Sequence, residues 1–269
     1  MTPRLKISVE NLYDTFAKYH GNLNMTGSPI YDDVAKWNKF LLSKSLRNLT
    51  SEDLSRFSGK VISTWGDTND LKHFLPRLFE LTALLDTPYD IWILYQKLQD
   101  GNFQKWDTED QNAINEFSLA LWGNLLSDNS EKAEWEFDDY FATIAHFYPS
   151  FNDLTDLWMI NNSFSAIKHL SNYIYDEAHT LFREKHIKVN EKSTKNILVF
   201  KNWLFSDSLI EKLTKAFYRF EKTELSERIA WVIKILKDEK YSTQQAVLRQ
   251  QGVTSNCSSA IVRNGIPKG

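Results

Sequence analysis

Apolar residues recur along this chain at intervals of three and four, the spacing of one face of a helix. Leu12, Phe16 and Tyr19 share such a stripe, with Ser8 placed to cap it. Gly21 to Pro29 is rich in Asn, Gly and Ser and reads as a loop. A helix from about Asp32 puts Val34, Trp37 and Leu41 on one side. Thr50-Ser51-Glu52-Asp53 has the form of a capping box before Leu54, Phe57 and Val61. Pro76 and Pro88 are each followed by apolar residues at helical spacing, so both are expected in a first turn, where a missing N–H costs nothing. Thr108 opens a helix through Phe117, Leu121 and Leu125, and another runs from about Trp135 to Phe147, where Pro149 stops it. Further helices fit Leu154–Ile160, Phe164–Tyr175, Glu177–Ile187, Leu209–Phe220 and Leu225–Leu236. The run Ile197-Leu198-Val199-Phe200 is equally compatible with a strand. Its helical neighbours and the lack of a partner strand favour helix.

These elements predict an all-α fold. No fixed-period repeat is present, so an irregular multi-helix bundle and a HEAT-like α-solenoid both remain open. Residues 1–241 form the expected single helical domain. The pattern changes after Tyr241: from Ser242 to Gly269 there is no aromatic and no acidic residue, and Gln, Ser, Asn and Gly dominate. So few bulky groups predict a flexible tail with a short helix near Ala246–Gln250. A native extension, a shifted reading frame or an artificial junction would each give such a segment.

Composition adds one unusual feature. The chain has 9 Trp, 11 Tyr and 17 Phe. They predict an aromatic core between helices or, alternatively, an exposed aromatic surface that binds something. The 9 glycines are few. No G-x-G-x-x-G, phosphate loop or G-x-S-x-G elbow occurs, so no nucleotide cofactor is expected. A net charge of −3 without long charge runs argues against a nucleic-acid partner. One cysteine, Cys257, suits a reducing compartment. The start lacks the apolar stretch of a signal peptide, and no run is long enough to span a bilayer. The cytoplasm, without membrane association, is the expected location.

Candidate chemistry concentrates in Thr64-Trp65-Gly66-Asp67 and Lys72-His73-Phe74-Leu75-Pro76-Arg77. Trp65 and Gly66 predict a tight turn, and Asp67 or Thr68 a cap for the next helix. Asp70 and His73 fall on one face. Trp65, Asp67, Lys72, His73 and Arg77 are the candidate binding residues; a cleft beside Pro76 would bring their charged groups together. Asp70-x-x-His73 and Asp176-x-x-His179 have the spacing of di-metal bundle ligands, but Asp is short for that task and such pairs arise by chance, so no metal is expected. Asp138 and Asp139, with Glu134 and Glu136, read as a solvated face, and His179 and His186 as surface residues.

The run Leu46 to Leu85 resembles a stretch of uncharacterised bacterial helical proteins, on Leu49-Thr50, Thr64–Asp67, Lys72–Arg77 and Glu80-Leu81. The resemblance implies a bacterial origin and a helical fold, and brings no activity. Three functional expectations stand beside it. The first is a non-enzymatic interaction or regulatory module, immunity-like in type, that binds a protein through an aromatic-rich groove. The second is an enzyme, which requires Asp67, Lys72, His73 and Arg77 to converge on one pocket. A di-metal carboxylate bundle is a third and weaker one.

Overall fold

The computed structural model describes residues 1–184, 187 and 194–260. Twelve α-helices lie among them: α1 Pro3–Phe16, α2 Val34–Leu42, α3 Ser51–Lys60, α4 Thr68–Ala83, α5 Ile91–Asp100, α6 Thr108–Ser127, α7 Glu131–Phe147, α8 Phe151–Ile160, α9 Phe164–Asp176, α10 Thr194–Leu204, α11 Asp207–Arg219 and α12 Glu224–Ala260. Short 3₁₀ turns at Leu46–Asn48 and Phe103–Lys105 and a π turn at Thr180–Glu184 join some of them. No strand occurs among the described residues; Trp65 makes only isolated bridges, to Gly27 and Val61.

The chain is an irregular helical bundle. In a solenoid each unit touches its sequence neighbours alone. Here α1 packs on α4 and α6, α6 also meets α7, α8 and α9, and α9 packs on α12. The central α6 buries residues on nearly every side, including Ile114, Phe117, Leu121, Trp122 and Leu125. That is the behaviour of a helix enclosed by others. Around it the aromatic core condenses. Trp122 meets Trp158 edge-on at 5.1 Å, and Phe141 contacts Tyr173 at 4.9 Å and Phe200 at 5.4 Å. The Trp122 and Trp158 indoles donate to the carbonyls of Leu154 and Ala166, so both rings are buried without losing a hydrogen bond.

Local signals account for most helix starts. The Thr50 capping box is present in full, with Asp53 returning the bond to the Thr50 N–H. Asp67 and Asp70 form a second box at the head of α4. The run after Lys195 is helical. Five expectations need correction. Ser8 caps nothing: Thr2 caps α1, Pro3 follows it, and buried Ser8 donates to the Leu5 carbonyl within the helix. Pro76 is inside α4, where it deprives the Lys72 carbonyl of its helical donor. Asp67 starts this helix strongly, and the buried stripe Leu71, Leu75, Leu78 and Phe79 carries it through the proline. Pro88 lies in a bend, and α5 begins three residues later under an Asp90 cap. At the other end α12 continues across the expected boundary after Tyr241 as one helix, with exposed side chains such as Val247 and Leu248. The expected helix Glu177–Ile187 is represented by the π turn; His186 lies outside the described residues.

Candidate functional site

The Thr64–Arg77 segment begins with a turn that only glycine fits. Gly66 has φ +67°, and a Cβ there would come within 2.8 Å of the Asp70 carboxylate. The turn is tied to the 22–28 loop by Gly66 N–H to the Thr26 carbonyl and Ser28 N–H to that of Thr64. Trp65 is buried, and its indole N–H donates to Asn38 Oδ1 at 2.9 Å. The Asn38 amide in turn donates to the carbonyls of Leu23 and Met25, so Asn38 holds the loop and the tryptophan together.

The remaining candidate side chains end on different partners within the chain. Asp67 caps α4 through the N–H groups of Asn69 and Asp70. Arg77 donates to the Leu49 carbonyl at 2.7 Å and to Glu80 at 2.6 Å. Glu80 also accepts from Tyr13. Lys72 and His73 do meet, on Tyr19: the lysine reaches its hydroxyl at 2.9 Å, and the His73 Nδ1–H donates to its carbonyl at 3.0 Å. Burial holds the His73 imidazole below its ordinary pKa, so the ring is neutral near pH 7.

Lys72 belongs to a buried ionic network. Its ammonium donates to Asp110 at 2.9 Å, Tyr19 donates to the same carboxylate oxygen at 2.7 Å, and Lys18 pairs with the other at 2.9 Å. The Lys72 charge also lies over the Trp106 ring, 4.2 Å from its centroid. Burial alone would push the Asp110 carboxyl up; the hydrogen bonds from Tyr19, Lys72 and Lys18 outweigh it and hold the carboxyl below its usual range. The network fastens α1 and the residues after it to α4 and α6.

The other sequence candidates are dispersed. Asp70 serves the α4 cap, Asp176 pairs with Arg228, and His179 pairs with Glu184. Among the described residues, no group of three or more His, Cys, Asp or Glu could hold a metal ion. Glu134 pairs with Lys168, and Asp138 and Asp139 are likewise engaged. No described helix is long and apolar enough to cross a membrane.

A different region, where α9, α11 and α12 meet, presents two clefts. One, of about 440 Å³, has Met159, Ile167 and Phe220 in its lining together with Lys212, Lys215 and Arg219. The second, of about 390 Å³, runs between Phe164 and Lys168 on α9 and Leu225 and Arg228 on α12. The clefts adjoin where Phe164 meets Phe220 edge-on at 5.3 Å. The helices that border the clefts carry exposed aromatics: Tyr218 on α11 is 68% exposed, Trp231 on α12 55%, and Phe164 and Tyr175 on α9 45% and 43%. Arg228 stacks over Tyr175 at 4.1 Å.

Lys212 is the unusual group of this region. It is buried, and its ammonium donates to the carbonyls of Met159 and Asn161 and to Asn162 Oδ1. Burial pushes its pKa down to about 8. The sequence held a signal for it that spacing alone reveals: Leu209, Lys212, Leu213 and Ala216 occupy one buried stripe, so a lysine stands on the apolar face of α11.

Comparison with known proteins is silent. No protein-family model matches this chain, and neither a curated protein nor a solved structure matches it.

Proposed function

We propose that this chain is a protein-binding, regulatory module whose partner docks on the face formed by α9, α11 and α12. The observation that carries the reading is the set of exposed aromatics, Phe164, Tyr175, Tyr218 and Trp231, on the three helices that contribute to two adjoining clefts. Tyrosine, tryptophan and arginine are the side chains that most often anchor protein interfaces, because each offers a large contact area with a polar handle. Their concentration here contrasts with the candidate residues on α4, each of which has an internal partner. An immunity-like role accords with a binding face that carries no recognisable catalytic constellation.

The test is capture of a stoichiometric partner by the full chain from its native cells, compared across variants. Tyr218→Ser with Trp231→Ser abolishes capture, whereas Ile7→Ser, at a 70% exposed position on α1, leaves it intact. Equal capture by the double variant, or equal loss with Ile7→Ser, removes the assignment to this face.

A further inference from the structure

The cleft beside Lys212 has a charge that its own lining does not cancel. The Lys212 residue is only 7% exposed, and its three N–H groups end on neutral oxygens: the Met159 carbonyl at 3.0 Å, the Asn161 carbonyl at 2.7 Å and Asn162 Oδ1 at 2.7 Å. These dipoles satisfy the ammonium's hydrogen bonds but leave its unit charge without a counter-ion, and no described carboxylate pairs with it. Charges removed from water are ordinarily paired, since the desolvation cost is otherwise uncompensated. Nearby, Arg219 donates to the Asn162 carbonyl at 2.9 Å with an exposed guanidinium, and Lys215 pairs with Glu211 at 2.6 Å. The lining thus holds three cations against one carboxylate that is already engaged. The carbonyl end of α8 would repel an anion, but Lys212 occupies the Met159 and Asn161 carbonyls there. Met159, Ile167, Ala216 and Phe220 supply the apolar part of the lining, and Asn162 and Ser208 its neutral polar part.

Resting on the docking reading above, we propose that this cleft receives a carboxylate of the protein partner, borne on a segment with an apolar side chain beside it. The cations select the charge, and the guanidinium of Arg219 suits a planar two-oxygen group. The apolar lining gives a side chain next to that carboxylate a surface to cover. A bare phosphate would leave it unused.

The test uses 3-phenylpropionate as the probe, titrated into the full chain and followed by backbone-amide NMR shifts. The expected result is millimolar binding, with shifts centred on residues 159–167 and 208–220. The uncharged isostere 3-phenylpropanamide and inorganic phosphate each bind about fivefold more weakly, the first lacking the charge and the second the apolar group. Lys215→Gln with Arg219→Gln, both at exposed positions, weakens the acid by about the same factor and leaves the amide unchanged. Lys212→Met has the same effect where it folds; the exposed pair carries the test where it does not. Equal binding of acid and amide, equal binding of phosphate, shifts centred elsewhere, or an insensitive double variant would each overturn the assignment. If the probe fails while partner capture still depends on Tyr218 and Trp231, the carboxylate assignment falls and the docking face stands. If capture is also indifferent to those two residues, both readings fall.

Discussion

The head of α4 and the α9/α11/α12 face both gather lysine, arginine and aromatic side chains, yet they differ in which of them the fold encloses and neutralises. At α4 each polar group ends on a partner inside the chain: Trp65 on Asn38, Lys72 on Asp110 and Tyr19, Arg77 on Leu49 and Glu80. At the other face Tyr218 and Trp231 stand in solvent, and Lys212 meets only neutral oxygens. A density of chemically capable residues is therefore a poor guide to function by itself. What distinguishes the two regions is how much of each group's binding capacity the fold has already used.

The comparison breaks most readily at Asp110. Replacing it with alanine strands the buried Lys72 charge, and urea denaturation should show a loss of about 3 to 5 kcal/mol. A loss below 1 kcal/mol, on the order of an exposed pair, would mean that the α4 network is not structural after all.

Acid provides the next test. Burial holds His73, His146 and His169 below their ordinary pKa, so each is taken into the fold as a neutral ring. In the unfolded chain they protonate near pH 6.5, and there the unfolded state binds more protons. Their contribution is thus complete above about pH 6.5 and lost as pH falls from there toward the folded values. Thermal melts between pH 7.5 and pH 5 (a range set about the unperturbed His value) should show falling stability, less steep once His169 is replaced by Gln. A flat profile contradicts the burial argument. His169 is the chosen position because its ring stacks on Phe137 at 4.3 Å and its Nε2–H donates to the Asp128 carbonyl, leaving little room for water around a second proton.

Smaller effects sharpen the contrast. Trp65→Phe keeps the ring but orphans Asn38 Oδ1, for a cost of about 1 to 3 kcal/mol in the same denaturation assay. Asp67→Ala removes the α4 cap and costs about 1 kcal/mol. Tyr218→Ser and Trp231→Ser, by contrast, should change stability by no more than about 0.5 kcal/mol each, as exposed positions do. A large loss at either would place it with the structural residues and against the docking face.

Much of the fold was legible in the residues. The Thr50 and Asp67 caps, the helical stripes and the all-α class follow from local spacing, because caps and amphipathic faces are settled within a few residues. The misread positions are those where a local preference met a stronger neighbour. Ser8 is a good cap that lost to Thr2-Pro3, and Pro76 is a helix breaker that α4 absorbed on the strength of its buried stripe. The candidate site was legible as a cluster, but not as a set of partners, since Tyr19, Asn38, Leu49 and Asp110 come from four distant stretches. The α9/α11/α12 face is not legible in the sequence, because its members are scattered from Met159 to Trp231 and resemble no motif.

By itself the sequence determined the helices, most of their caps and an aromatic-rich interior, all consequences of short-range periodicity and side-chain chemistry. Only the tertiary structure decided that the helices form a bundle around α6, that Lys72 is neutralised and Lys212 is not, and which aromatics remain in solvent. Those outcomes depend on which distant residues meet. No single segment encodes that; the packing of the whole chain fixes it.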